Sequence, residues 1–185
     1  MEGFKSDLRD EEGLVLAASR GDASAFEDLF HRYYDMTYGY AYKMCFNAAE
    51  ASDMAQETWI KVAKSLHLYQ GKASFKNWVY AVAHNAIQDA GRKKSRDLRL
   101  KEQMAGETSS SSNEDAPPDS EALRAALHSL SPNHHAAVTL VYMEGLSHGE
   151  AAKVLGCAET TISWRLFQAR RKLKRILVLA AKEQQ

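Results

Sequence analysis

The sequence holds no run of 18 or more apolar residues, so no segment has the length of a membrane-spanning helix. Its two cysteines, Cys45 and Cys157, lie far apart in the chain. That excludes a disulfide framework and predicts reduced thiols in a cytoplasmic protein. The N-terminal MEGFKSDLRDEEG is polar and acidic, without an apolar h-region, which predicts no secretory signal. No H-E-x-x-H or C-x-x-C spacing occurs. His134 and His135 are adjacent and point to different faces, so with His148 and Cys157 they make a poor zinc set. No nucleophile–base pair is evident either. We expect no metal, no cofactor and no enzyme activity.

An excess of charge is also lacking, and the formal net charge is zero. The zero is a cancellation between segregated blocks. Acid gathers early (Asp7, Asp10, Glu11, Glu12, Asp22, Glu27, Asp28) and again at Glu107, Glu114, Asp115, Asp119 and Glu121. Base gathers in Arg92–Lys101 and Arg165–Arg175. Such segregation predicts two separate basic faces with partners different from those of the rest of the surface. At 185 residues and 45% hydrophobic content the chain can bury a core in one or two domains.

Segments with strand-like, period-two alternation are missing from Phe4–Arg99, and the apolar spacing is helical instead. Leu14, Leu16, Ala17, Phe26, Leu29, Phe30, Tyr33 and Tyr34 predict helix over Asp10–Phe46. A break falls at Gly21-Asp22, with Asp22 or Ser24 as the next cap. Tyr38, Tyr40, Tyr42 and Phe46 read as core and rim of a helical bundle. Ala51–Tyr69 reads as a second helix, capped by Ser52 or Asp53, with Ala55, Trp59, Val62 and Leu66 as its buried seam. Its other side carries Asp53, Glu57, Ile60, Lys61 and Lys64. A Glu57–Lys61 ion pair is expected there, and Ile60 among charges fits a surface that docks a partner helix.

After the loop Gln70–Ser74, a helix is predicted from Phe75 to Arg99, burying Val79, Val82, Ala83, Ala86, Ile87 and Ala90. Trp78, Asn85, Asp89, Arg92 and Arg96 fall along its other side, beside Lys93 and Lys94. Aromatic rings stack bases, amides read base edges and guanidinium groups grip phosphates, so the whole stripe points to nucleic acid. Gln103–Ser120 combines a serine run, acids and Pro-Pro, and reads as a linker.

Beyond it, Glu121–Leu130 is a predicted helix. The next starts at Pro132 behind a Ser131 cap and runs through Ala136, Val138, Leu140, Val141 and Met143 to Gly145. Ser147 and Glu150 form a capping box for a third helix, which packs Ala151, Ala152, Val154 and Leu155. Gly156 ends it in a turn that requires positive φ. Thr160 or Thr161 starts the last helix, whose seam is Ile162, Leu166, Ala169, Leu173, Ile176 and Leu177. Its exposed side carries Ser163, Trp164, Arg165, Phe167, Gln168, Arg170, Arg171 and Lys172, as in a helix-turn-helix that enters the major groove.

Three of these segments resemble the extracytoplasmic-function sigma factors of bacterial RNA polymerase. DMAQETWIKV (Asp53–Val62) is similar to the family's D-x-A-Q-E-x-F segment. FKNWVYAVAHNAIQDAGRKKSR (Phe75–Arg96) is similar to its minus-ten helix, and Leu146–Leu173 to its minus-thirty-five helix-turn-helix. The resemblance implies an all-α fold of two helical domains. Residues 1–102 would form region 2 and residues 121–185 region 4, joined by a flexible acidic linker over 103–120. It implies that Asp53, Gln56, Glu57 and Lys61 contact core RNA polymerase. Ser74, Phe75, Asn77, Trp78 and Asn85 would hold an unpaired promoter base. Arg92, Lys93, Lys94 and Arg96 would hold phosphates, with Asp89 on the same stripe. Thr160, Thr161, Ser163, Trp164, Arg165, Phe167, Gln168 and Arg171 would face minus-thirty-five duplex. It further implies an anti-sigma partner and poor promoter binding by the free chain. A lysine common in the family is replaced by Ser163, a small residue by Trp164 and an arginine by Gln168, so no promoter sequence carries over. The rival reading is a stand-alone helix-turn-helix regulator. It calls for an α/β domain at the N-terminus, where no strand pattern exists.

Overall fold

A computed structural model describes residues 10–104 and 118–183. The expected linker 103–120 lies largely outside them. Its two ends are helical rather than loop, because Gln103-Met104 close one helix and Pro118 opens the next. Every regular element among the described residues is a helix.

Helix α1 (Glu11–Ser19) turns at Gly21, with φ +97°, into α2 (Ala23–Cys45). Asp22 caps α2 by accepting from the Ala25 amide at 3.1 Å. The start of α3 (Ala48–Ser65) differs from expectation: its cap is Asn47, whose side chain accepts from the Glu50 amide at 2.9 Å. The reason is Phe46, which ends α2 in the left-handed region at φ 52° and leaves Asn47 extended at the corner. A 3-10 turn (Leu66–Leu68) follows α3. Helix α4 (Phe75–Met104) then runs for 30 residues.

Ala55, Trp59, Val62 and Leu66 are all buried, with Leu14, Leu29, Phe75 and Val79 around them. Trp59 meets Phe26 and Phe30 edge-on at 5.8 and 5.2 Å, and its indole N–H donates to the buried Thr37 hydroxyl at 3.0 Å. The ring thus buries a large apolar area while its one polar atom stays satisfied.

In the second half, α5 (Pro118–His128) precedes α6 (Pro132–Val138). Ser131 holds the N-cap position but makes no cap bond, since its hydroxyl pairs with His134 Nδ1 at 2.7 Å. The helix does not continue regularly to Gly145, because it widens into a π turn over Thr139–Met143. Helix α7 (His148–Val154) carries the expected capping box, and Gly156 turns at φ +59° into α8 (Glu159–Glu183). Ile162, Leu166 and Ala169 are buried, but Leu177 is exposed. The seam loses its partners as α8 runs past the bundle.

Tyr40, Ala41, Tyr80, Ala83 and Ile87 of the first half share one core with Leu127, Ala137, Leu140, Leu146, Ile162 and Leu166 of the second. Helix α7 lies on α4, and the widened turn lies on α2. The two halves are therefore docked.

Replacing Trp59 with Ala is expected to cost about 3–5 kcal/mol, as for other buried aromatics. Urea unfolding followed by far-UV circular dichroism measures it. Loss of under ~1 kcal/mol would show that Trp59 does not anchor the α2–α3 packing.

Candidate nucleic-acid and polymerase interfaces

On α3, Asp53, Gln56 and Glu57 are exposed and Ile60 is 48% exposed, so the four present one surface. The expected Glu57–Lys61 pair does not form. Lys61 crosses to α4 and meets Asp89 at 2.7 Å. Asp89 also accepts from Arg92 at 2.6 Å, and the two cations, Lys61 first, hold its carboxyl below the usual range. Lys94 pairs with Glu50 at 2.7 Å. These pairs are largely exposed and worth little as stability. Their effect is to partly neutralise the basic end of α4. Asn85, Lys93 and Arg96 stay exposed.

The start of α4 divides its predicted base-holding residues. Ser74 Oγ accepts from the Asn77 amide at 3.3 Å and so caps the helix. Phe75 is 1% exposed and sits edge-on to Tyr33 and Tyr69, so in this arrangement its ring belongs to the core. Trp78 is half-buried and stacks on Phe75 with centroids 5.7 Å apart. Asn77 is buried, and its amide donates to Glu150 Oε1 of α7 at 3.0 Å. Of the residues predicted to hold a base or phosphates, Trp78 forms a rim, Asn85 and the cations face outward, and Phe75 and Asn77 face inward.

The residues that hold the two halves together were not evident from the sequence. Glu144 follows the π turn, a distortion that changes where the next side chain aims. Its Oε1 accepts from Lys43 Nζ at 2.7 Å and its Oε2 from the Tyr80 hydroxyl at 2.6 Å. Its side chain is only 10% exposed. Burial, reinforced by Glu144, drives the Tyr40 and Tyr80 hydroxyls well above the ordinary tyrosine range, so both stay protonated. Glu150 does two jobs. One oxygen closes the capping box on Ser147 and the other accepts from Asn77. The Ser147 amide and hydroxyl, then Asn77, pull its carboxyl down to about 2. Phe46 reaches across as well, stacked on His135 at 5.9 Å, edge-on to His128 at 5.1 Å and under the Arg124 guanidinium. A non-glycine residue in the left-handed region costs about 1–2 kcal/mol, and these ring contacts offset it. Between α4 and the second half lies a cavity of about 770 Å³, lined by apolar Met44, Met54, Ile87 and Leu130 and by Arg92, Arg96 and Arg99.

In the C-terminal pair α7–α8, Thr160, Ser163, Trp164, Phe167 and Arg171 are exposed on the outer side of α8. Thr161 and Gln168 are half-buried. Ser163 Oγ pairs with His148 Nδ1 at 3.0 Å. Arg165 turns away from the outer face. Its guanidinium donates to Cys157 Sγ at 3.7 Å and lies near enough to His84 to disfavour a second positive charge there. Among the described residues no group of three or more His, Cys, Asp or Glu is placed to hold a metal ion, and no helix is long and apolar enough to cross a membrane.

Comparison with known proteins agrees with this two-part layout. Residues 29–97 match Sigma-70 region 2, and residues 120–173 match Sigma-70 region 4. The chain is 32% identical over 173 residues to the ECF RNA polymerase sigma factor BldN of Streptomyces coelicolor, covering 89% of this chain and 64% of that protein's length. It is 30% identical over 182 residues to the ECF RNA polymerase sigma factor SigE of Mycolicibacterium smegmatis, covering 92% of this chain and 70% of that one. In fold it is similar to the sigma factor RpoE of Bartonella quintana, solved with the anti-sigma factor NepR. The TM-score there is 0.69 at 22% identity, over 84% of this chain and 98% of that one. The chain belongs to the extracytoplasmic-function sigma factors.

Two outcomes follow from the docked arrangement. Glu144→Ala leaves the Tyr80 hydroxyl without its acceptor, and an unsatisfied buried polar group costs about 1–3 kcal/mol, while Lys43 is exposed enough to return to water. The halves should separate, with a larger radius of gyration in small-angle X-ray scattering. An unchanged radius would show that the apolar contacts suffice. Burial lowers His84 and His135 to about 4. Both are neutral in the fold and become charged on unfolding below about pH 6.5. Stability should therefore be full above that pH and fall as pH drops from about 6.5 towards 4. Thermal melting across that window measures it, and His135→Phe should flatten part of the slope.

Proposed function

We propose that this chain directs core RNA polymerase to a set of promoters as an alternative sigma factor, and that an anti-sigma protein holds it inactive. The observation that carries this is the ordered pair of modules, region 2 followed by region 4, on one chain of helical domains. In this reading Asp53, Gln56, Glu57 and the exposed Ile60 dock on the polymerase. Lys61 acts less as a contact than as a tie to α4 through Asp89. Trp78 and Asn85 hold a flipped base, replacing the few kcal/mol of stacking that it loses. Arg92, Lys93, Lys94 and Arg96 grip phosphates, while Asp89 orients Arg92 and touches no DNA. The outer face of α8 meets the upstream duplex.

Chemistry is left to the polymerase, so the chain itself needs only binding energy, and its place of work is the cytoplasm. The docked state suits an inhibited form, since Asn77 is occupied by Glu150 and two α4 cations are paired within the protein. The cavity beside α4, lined by both apolar and cationic side chains, suits an amphipathic acidic segment of an inhibitor.

Asn85→Ala and Trp78→Ala should impair promoter opening by holoenzyme, read by permanganate reactivity of unpaired thymines. Pull-down of core polymerase should stay unchanged. Ile60→Asp should do the reverse and abolish the pull-down. Wild-type opening by both α4 variants would remove the base-holding role from this end of α4.

A further inference from the structure

The outer face of α8 is not built as an electrostatic grip along its whole length. Thr160, Trp164, Phe167 and Arg171 recur at spacings of four, three and four and so share one face, turned away from the buried Ile162, Leu166 and Ala169. Trp164 is 56% and Phe167 52% exposed. The first half of this face is thus aromatic, and exposed cations come later, at Arg170 and Arg171 and then Lys172, Lys174 and Arg175. The other candidates for polar contact near the helix start are engaged elsewhere. Arg165 donates to Cys157, and Ser163 is tied to His148. Two large rings at an exposed site are costly unless something apolar covers them.

Both rings are also held in place. Trp164 lies against His134 of α6, with ring centroids 5.6 Å apart. Phe167 lies under the Arg171 guanidinium, 5.7 Å from its centroid. A held ring loses little side-chain freedom when it binds, so it suits a fixed contact. In a helix-turn-helix the first residues of the recognition helix meet base edges. The only apolar group that a B-DNA major groove offers there is the thymine C5-methyl.

We propose that Trp164 and Phe167 read thymine methyl groups in the upstream promoter duplex, so that specificity at this end is apolar while Arg171 and the cations beyond it supply sequence-independent phosphate contact. The assignment rests on the sigma-factor reading above and adds what this helix recognises. Trp164 and Phe167 stay exposed in the docked state, so reading by α8 does not depend on undocking.

The test uses holoenzyme formed from the full chain and core RNA polymerase. Duplexes are selected from a promoter pool randomised in the upstream element, and each thymine of the selected element is then replaced by deoxyuridine, which lacks only the methyl. We expect at least one replacement to weaken binding about fourfold, the value of one buried methyl. Phe167→Ala or Trp164→Ala should bind thymine and uracil probes equally, with an unchanged slope of log affinity against log salt, because no phosphate contact is lost. Arg171→Ala should do the opposite, lowering the slope while still distinguishing the two probes. Both aromatic side chains are exposed, and circular dichroism melting confirms that the variants fold. Equal binding of all uracil probes by the wild type, or a selected element without thymine, would overturn the methyl reading and leave the sigma-factor role standing. Aromatic variants that bind and discriminate like the wild type would overturn it too, and would mark the pair as protein-facing. A holoenzyme that selects no sequence would overturn both readings.

Discussion

The arrangement of this molecule depends on one carboxylate. Glu144 sits where α6 has widened into a π turn, and its two oxygens are shared between Lys43 of α2 and Tyr80 of α4. A nearly buried carboxylate is tolerated only when its lone pairs are used, and here both partners come from the other half of the chain. The apolar core that runs through Tyr40, Tyr80, Leu140 and Leu166 supplies the area. Glu144 supplies the register, because an apolar contact can slide and a bidentate acceptor cannot.

Docking occupies polar side chains of both halves. Glu150 caps α7 and also holds Asn77, so the same side chain that shapes the helix-turn-helix covers a residue at the start of α4. The paired cations of α4 are a second form of the same device: Lys94 and Arg92 meet Glu50 and Asp89 within the protein. Such exposed pairs are weak in water. The aromatic start of α8, held by His134 and Arg171, stands outside this network. Trp164 and Phe167 stay exposed in the docked state.

Much of the architecture was readable from local pattern. The seam Ala55–Trp59–Val62–Leu66, the Asp22 cap, the Ser147–Glu150 capping box and the positive φ at Gly156 depend on neighbours within a few residues. Errors came where a competing contact or a backbone turn overrode the expected local rule. Asn47, not Ser52 or Asp53, caps α3, because the left-handed Phe46 brings the chain round earlier. Lys61 ignores Glu57 because Asp89 of a packed neighbour is better placed. Ser131 gives up its cap bond to His134.

The sequence by itself determined the helices, the division into two modules and the chemistry available on each exposed stripe, because periodicity and charge are local properties. Only the tertiary structure decided which of those side chains are free. Phe75 and Asn77 have the right chemistry for a base and are buried, Arg165 has the right charge and turns inward, and Glu144, unremarked in the chain, holds the halves together. Whether a side chain is available depends on what packs against it from more than sixty residues away, as Tyr80 and Glu144 do. Neither spacing nor propensity carries that information.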